Sequence, residues 1–301
     1  MIYDKLKDLT KEQLIDYLRS GLSREQIAEK FNVGSWMIYK KAKEFNIDIR
    51  STKKEYNKKF NVHVFDEINT EEKAYWLGFL YADGCVYNTK PPLGRQYKVS
   101  LALKSEDIDH IRKFKRFLED VRDDSAIKIN TTELNGKKFD EAKYVVCSSY
   151  FVDKLTLYGC VPRKSLILKF PDKSIFKEDK LIIDFIRGYI DGDGSLSCAR
   201  NRLQISVLGT FDFLNGIKQI FPEFSSITSK DSVYNISCQY NKADLVAHKL
   251  YGNATVYLDR KYNKYATLCK LYTGEKSGNI GEGCDANTEI TSEITKGPEE
   301  S

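Results

Sequence analysis

Two thirteen-residue stretches, YWLGFLYADGCVY at 75–87 and FIRGYIDGDGSLS at 185–197, constrain this 301-residue chain more than any other feature. Each is an apolar helical run with a glycine inside, Gly78 or Gly188, five residues ahead of an aspartate, Asp83 or Asp193. Each aspartate is followed by a glycine and a strand-like stretch. After Asp83 the alternating YKVSLALK (97–104) leads to Ser105, which should cap a helix with Ile108, Ile111, Phe114 and Leu118 inward. Strands are expected near 126–131 and 142–148, then a short helix ending in LYG ahead of Arg163 and Lys164. After Asp193 the order repeats: RLQISVLG (202–209), a helix capped by Thr210, strands near 225–229 and 232–239, and a second LYG ahead of Arg260 and Lys261. Each half reads helix, two strands, helix, two strands, helix, and internal duplication accounts for this most economically.

A glycine inside a helix costs ~1 kcal/mol relative to alanine, so matched copies predict two backbones in close approach. If Gly78 faces Gly188, Asp83 and Asp193 emerge side by side at one end of the seam. Adjacent carboxylates repel unless a cation lies between them, so a divalent metal site follows from the packing. A single Asp-Gly is most simply a helix-ending turn; the doubling is what argues for more. His63, His110 and His248 lie far apart, and the seven cysteines contain no CxxC pair. Neither a zinc ribbon nor a disulfide framework fits, and oxygen ligands favour magnesium, with manganese as a substitute.

At these residues the chain resembles the LAGLIDADG homing endonucleases in their single-chain, two-motif form. WLGFLYADG (76–84) and IRGYIDGDG (186–194) align with the nine-residue motif without gaps, and the resemblance covers about residues 66–273. Trp76, Tyr81 and Arg187 depart from the motif, and close packing requires the Arg187 side chain to leave the seam. The eighth position, where the family keeps its catalytic acid, is intact as Asp83 and Asp193. The resemblance implies an α+β fold of two pseudo-symmetric αββαββα halves forming a DNA-binding saddle of antiparallel sheets. It implies a site-specific double-strand DNA endonuclease of the kind used in intron homing, with magnesium held by Asp83 and Asp193 at the scissile phosphates. The backbone carbonyls of Ala82 and Gly192 are expected to help hold metal, and Lys164 and Lys261, beside Arg163 and Arg260, to support catalysis.

The strand faces fit a nucleic-acid partner. Val99, Leu101 and Leu103 share one side while Lys98, Ser100, Ala102 and Lys104 share the other; Leu203, Ile205 and Val207 likewise oppose Arg202, Gln204 and Ser206. Lys128, Asn130 and Arg200 are placed with these groove-facing groups. Arg and Lys suit guanine edges and Gln suits adenine. The alternative is a merely solvated strand face. Because the halves differ, the target should be a long, asymmetric double-stranded DNA, bound by a monomer.

Ahead of the duplication, residues 1–49 predict three short helices with helix-turn-helix spacing: Thr10 and Ser23 as caps, Ala28 at the crossing, Asn32 in the turn and Val33 at the corner. The third helix exposes Ser35, Trp36, Tyr39, Lys40 and Lys43, which suit the major groove; a protein-docking bundle is the other reading. Residues 50–65 form a basic linker that includes Lys53 and Lys54. The first half is assigned to 66–172, the second to 173–273, and a disordered acidic tail to 274–301. Of 48 basic and 43 acidic residues, two lysines and seven acids fall between Glu275 and Ser301, leaving 46 against 36, or +10, on the rest. Such a body suits a polyanion.

No apolar run approaches the ~18 residues of a membrane helix, and the start has no apolar signal core. The expectation is an intracellular, cytoplasmic protein of a bacterium or phage-infected host, not secreted and not membrane-bound. Two other functions use the same scaffold: a non-cleaving DNA-binding transcription regulator and an RNA-splicing maturase. A pure binder has no reason to keep two acids facing phosphates.

Overall fold

A computed structural model describes residues 6–19, 22–45, 47, 59–89, 96–134, 137–199 and 202–273. Lys53, Lys54, Arg200 and the acidic tail lie outside the described residues.

The N-terminal helices are α1 (Lys11–Arg19), α2 (Arg24–Lys30) and α3 (Ser35–Glu44). Two reciprocal caps start the first two. Thr10 Oγ1 accepts from Gln13 N at 3.2 Å while Gln13 Oε1 accepts from Thr10 N at 3.1 Å, and Ser23 and Gln26 repeat the exchange. Asn32 turns the chain with φ 48°, a conformation its short polar side chain tolerates. Leu14, Leu18, Ile27, Ala28, Ile38 and Ala42 form a core of their own, with Phe31, Val33 and Phe45 packed against it.

The duplicated region contains α4 (Glu71–Ala82), β1 (Gly84–Thr89), β2 (Gln96–Lys104), α5 (Ile108–Phe117), β3 (Ile127–Leu134), β4 (Lys137–Cys147) and α6 (Ser149–Leu157). It continues with α7 (Lys180–Asp193), β5 (Gly194–Ala199), β6 (Arg202–Gly209), α8 (Phe211–Ile220), β7 (Thr228–Lys230), β8 (Val233–Gln239), α9 (Asn241–Tyr251) and α10 (Asp259–Thr273). Both halves therefore follow αββαββα, with α10 added to the second. Each holds an antiparallel four-stranded sheet, in the orders β1-β2-β4-β3 and β5-β6-β8-β7. The registers correspond: Gly84 lies opposite Leu101, and Gly194 opposite Val207. Helices cover the face carrying Val99, Leu101, Tyr144, Ile205, Val207 and Ile236, all buried in one continuous core.

The two motif helices are the centre of that core. Every residue from Ala74 to Tyr81 of α4 is buried, as is every residue from Phe185 to Asp191 of α7. The α4 run is apolar on all sides, so it has no solvent face and must be enclosed; α7 is enclosed with its charged Arg187 and Asp191 paired inside. At the seam, a Cβ built on Gly78 would overlap the Phe185 carbonyl, and one on Gly188 would overlap that of Tyr75 and come 2.8 Å from Phe79 N. Only hydrogen fits at either position.

Arg187 leaves the seam, although it is 2% exposed. Its guanidinium pairs with Glu71 at 2.7 Å and Asp184 at 2.8 Å, and donates to Leu250 O and Val256 O at 2.9 and 3.0 Å. Glu71 also accepts from Thr255 N and Thr255 Oγ1, so it bridges the first motif helix to the chain before α10. A buried charge satisfied on every side in this way is tolerated, and breaking the pair on one side is not.

Two local expectations are corrected. Ser105 does not cap α5 with its side chain; a 3-10 turn over Ser105–Asp107 leads into the helix. The β3–β4 hairpin is longer than the sequence indicates, because Thr131, Glu133, Lys138, Phe139 and Asp140 are all exposed. A strand solvated on both faces carries no alternation to read. Among the described residues no helix is long and apolar enough to cross a membrane, and the described cysteines are free thiols.

Candidate metal centre and nucleic-acid interface

Asp83 caps the C-terminal end of α4, and Asp193 is the last residue of α7. The glycine seam brings both ends together: a Cβ on Gly192 would lie 3.1 Å from Asp83 Oδ2. Burial raises the Asp83 carboxyl to about 6, and the negative charge of Asp193 adds to the shift, while Lys261, Lys164 and Arg260 oppose it. Asp193 is also raised by burial, against the pull of Lys164, a Tyr189 hydrogen bond and Lys261. Its side chain still reaches solvent, so the desolvation is partial.

These shifts fix a sign. In metal-free protein a carboxyl raised from 3.8 to about 6 binds its proton more tightly folded than unfolded, so its contribution to stability falls as pH rises from about 4 through 6. A divalent ion binds the ionised form and reverses the penalty. Thermal melts are expected to rise more on adding magnesium at pH 7.5 than at pH 5; an equal rise at both would place the ion elsewhere.

The two lysines occupy matching places with unequal partners. Lys164 Nζ donates to Ala82 O at 3.1 Å and Gly84 O at 2.5 Å. Lys261 is 2% exposed, and its Nζ donates to Ile190 O, Asp191 O and Gly194 O at 2.5, 2.7 and 2.6 Å. Ammonium groups there satisfy the last carbonyls of both motif helices and complement their dipoles. Lys261 spends all three protons on the backbone, and burial lowers its pKa to about 8. Lys164 is half-buried with two bonds, so one of its three protons is not spent on the backbone. Ala82 O, expected to hold metal, accepts from the Lys164 ammonium. Arg260 pairs with Asp107 of the other half at 2.9 Å, and exposed Arg163 is left-handed at φ 57°.

One buried group was not anticipated. Asp191 is fully buried and accepts from Tyr251 OH at 2.6 Å, Tyr75 OH at 2.8 Å and Leu258 N at 2.8 Å. It ties the second motif helix to the first, to α9 and to the residue that precedes α10, the helix that carries Lys261. Tyr81 fills the equivalent position in the first motif and donates to Tyr158 O instead.

The donor set suits magnesium: two carboxylates from opposite lobes, of which Asp193 is exposed, and no His ligand beside them. Among the described residues no group of three or more His, Cys, Asp and Glu could hold a metal.

No protein-family model matches the chain, and no curated protein matches it by sequence. Solved structures are similar. They include the homing endonuclease I-WcaI bound to its DNA recognition sequence (12% identity, 65% of this chain and 87% of that one, TM-score 0.48). The LAGLIDADG meganuclease I-AabMI bound to uncleaved DNA is similar at 12% identity over 66% and 91%, with TM-score 0.43. I-DmoI in complex with DNA and Ca is similar at 17% over 69% and 99%, also with TM-score 0.43.

The sheet faces away from the helices are polar. On the first, Lys104, Lys128 and Asn130 are exposed and Lys98 is half-buried, with its ammonium 5.2 Å from the Tyr87 ring. Ser100 is a correction: it lies on this face but is 3% exposed, flanked in register by Cys85 and Val145. An open depression of about 640 Å³ lies beside β3 and β4, lined by Arg122, Lys128, Asn130 and Lys143 among others. On the second sheet Arg202 and Gln204 are exposed, Arg202 lies 5.2 Å from the Tyr240 ring, and half-buried Ser206 donates to Asn235 Oδ1 at 2.8 Å. On α3, Trp36 is 64% exposed with Lys40 at 5.6 Å from its ring. Lys43 is exposed, and Ser35 and Tyr39 are half-buried.

Proposed function

We propose that this chain is a homing endonuclease of the LAGLIDADG family that hydrolyses one phosphodiester in each strand of a double-stranded DNA target. The observation that carries the reading is the convergence of Asp83 and Asp193, one from each lobe, at the end of a seam that only glycines permit. Asp83 and Asp193 would hold a divalent ion, magnesium or manganese, with the Ala82 and Gly192 carbonyls as further candidate ligands. Such an ion would polarise the scissile phosphate and favour ionisation of the attacking water. The carboxylates orient that water by accepting its hydrogen bonds. Lys164 directs its remaining proton toward the charge that develops on the phosphate, and Lys261 holds the end of α7 so that Asp193 stays in place.

The sheets lie along the major groove, with Lys98, Lys104, Lys128, Asn130, Arg202, Gln204 and Ser206 among the contacts. Residues 1–49 act as a separate helix-turn-helix module, joined through a basic linker at 50–65 to halves at 66–172 and 173–273. The protein works as a monomer in the cytoplasm of a bacterium or phage-infected cell, a setting that the free thiols support.

The test is incubation of the purified chain with the uninterrupted DNA locus that matches the flanks of its own reading frame. The expected product is a single double-strand break with magnesium or manganese, none with EDTA, and recovery when metal is returned. Binding without a break under every metal would favour a regulator. For the first module, Lys40→Ala with Lys43→Ala is expected to weaken binding and flatten the log–log salt dependence by roughly 0.9 per lost phosphate contact. An unchanged slope removes α3 from the interface.

A further inference from the structure

The sixth residue of each motif, Tyr81 or Asp191, reaches the segment that carries the lysine of the same half. In the first lobe the Tyr81 hydroxyl donates to Tyr158 O, and Gly159, at φ 96°, leaves room for it, since a Cβ there would collide with that hydroxyl. Cys160 Sγ donates to Leu80 O at 3.4 Å, and the chain then delivers Lys164 to Ala82 O and Gly84 O. In the second lobe Asp191 Oδ1 accepts from the Tyr251 hydroxyl at 2.6 Å and Oδ2 from Leu258 N at 2.8 Å. Leu258 O accepts from Lys261 N at 2.9 Å and Tyr262 N at 3.1 Å, which starts α10 and returns the Lys261 ammonium to Asp191 O. Tyr158 and Tyr251 are the tyrosines of the two LYG repeats, so one contact recurs with different chemistry.

The two tethers differ in reach. Tyr81, Tyr158 and Lys164 all belong to the first lobe. Asp191 Oδ2 is shared between Leu258 N and the Tyr75 hydroxyl, which donates to it at 2.8 Å from the first motif helix and lies 3.1 Å from His110 Nε2 on α5. Phe185 stands at the mirror position of Tyr75. Its ring meets the Tyr81 ring edge-on at 5.0 Å, so no hydrogen bond crosses the seam at that contact. A buried carboxylate with three donors is held in one orientation, and withdrawing a donor leaves it short of a partner.

We infer that the sixth residue of each motif is a positioning residue for the lysine of its own half, Tyr81 for Lys164 and Asp191 for Lys261, and that Tyr75 extends the second tether into the first lobe. The inference rests on the DNA-cleaving reading above and deepens it. Each lysine serves one strand, and the strand served by Lys261 depends on a hydroxyl from the opposite lobe that touches neither metal nor DNA.

The experiment follows single-turnover cleavage of the uninterrupted locus by saturating full-length chain with magnesium, each strand carrying its own end label. Lys164→Met and Lys261→Met are expected to slow opposite strands, which assigns a strand to each lysine. Asp191→Asn turns one acceptor oxygen into a donor. It is expected to slow the Lys261 strand by about tenfold, the worth of one hydrogen bond to a charged group, with the other strand and duplex affinity in EDTA near wild type. Tyr81→Phe is expected to slow the Lys164 strand. Tyr75→Phe discriminates most sharply, because it alters the first motif helix yet is expected to slow the strand of the second lobe's lysine. A role confined to holding the lobes together would slow both strands alike, since Asp83 and Asp193 share one seam. If Asp191→Asn or Lys261→Met does not fold, Tyr75→Phe and Lys164→Met decide the matter, since they must slow opposite strands. Lysine variants that slow both strands alike overturn the inference and leave the nuclease reading standing; so does a Tyr75→Phe protein that slows both strands, the Lys164 strand or neither. A wild-type chain that breaks neither strand sinks both.

Discussion

Asp83→Asn and Asp193→Asn proteins are expected to bind duplex DNA with near wild-type affinity and to lose double-strand cleavage by about a thousandfold or more, the loss of several kcal/mol of transition-state stabilisation. The substitution keeps the shape of the side chain and removes one negative charge from a pair that repels. The carboxyl of Asp83 is already pushed up to about 6 by burial and by Asp193, so neutralising either acid relieves strain in the metal-free fold. Loss of activity with the fold retained is therefore the expected result. Thermal melts should show each variant at least as stable as wild type without metal, and the stabilisation by magnesium should shrink. Because the acids belong to different lobes, a plasmid assay that separates nicked from linear product reads their roles individually. Full linearisation by the double variant would remove the carboxylates from the mechanism.

How much of this site was legible in the sequence depends on the range of the contact that makes it. The doubled block of helix, glycine and aspartate spells out the seam, since a glycine inside a helix is costly unless backbones meet there, and it recurs at one spacing. Thr10, Ser23 and Thr210 act within three residues of themselves and were readable for that reason. Asp191 was not: its acceptor bonds join it to Tyr75, Tyr251 and Leu258, at separations of 116, 60 and 67 residues. No local pattern distinguishes that buried network from an ordinary motif aspartate. Arg187 was visible as a departure from the motif, but its destination beside Glu71, 116 residues away, required the fold. The lysines were found by their repeated LYG…RK context; that their ammonium groups clasp helix carbonyls depends on three-dimensional placement.

The seam itself is open to the sharpest physical test. Gly188→Ala and Gly78→Ala each improve intrinsic helix propensity by ~1 kcal/mol, so on local grounds both should stabilise. They are expected to do the reverse, by about 3 kcal/mol or more, because the added methyl meets backbone rather than a side chain that could turn aside. At Gly78 the Cβ would overlap the Phe185 carbonyl and come 3.0 Å from Tyr189 N; at Gly188 it would overlap the Tyr75 carbonyl and come 2.8 Å from Phe79 N. The two helices must part to admit it, which opens the core from Ala74 to Tyr81 and lowers the melting temperature by roughly 10 °C for a region of this size. Gly34→Ala is the matched control: it caps α3 at φ −74°, no atom lies within 4 Å of its added Cβ, and its melt should stay within about 0.5 kcal/mol of wild type. Gly192→Ala separates stability from chemistry, since its methyl would press on Ala82 and lie 3.1 Å from Asp83 Oδ2. It is expected to depress cleavage more than the melt. A Gly188→Ala protein that melts like the control would mean that the helices are not in backbone contact, and the pairing of the two aspartates would lose its cause.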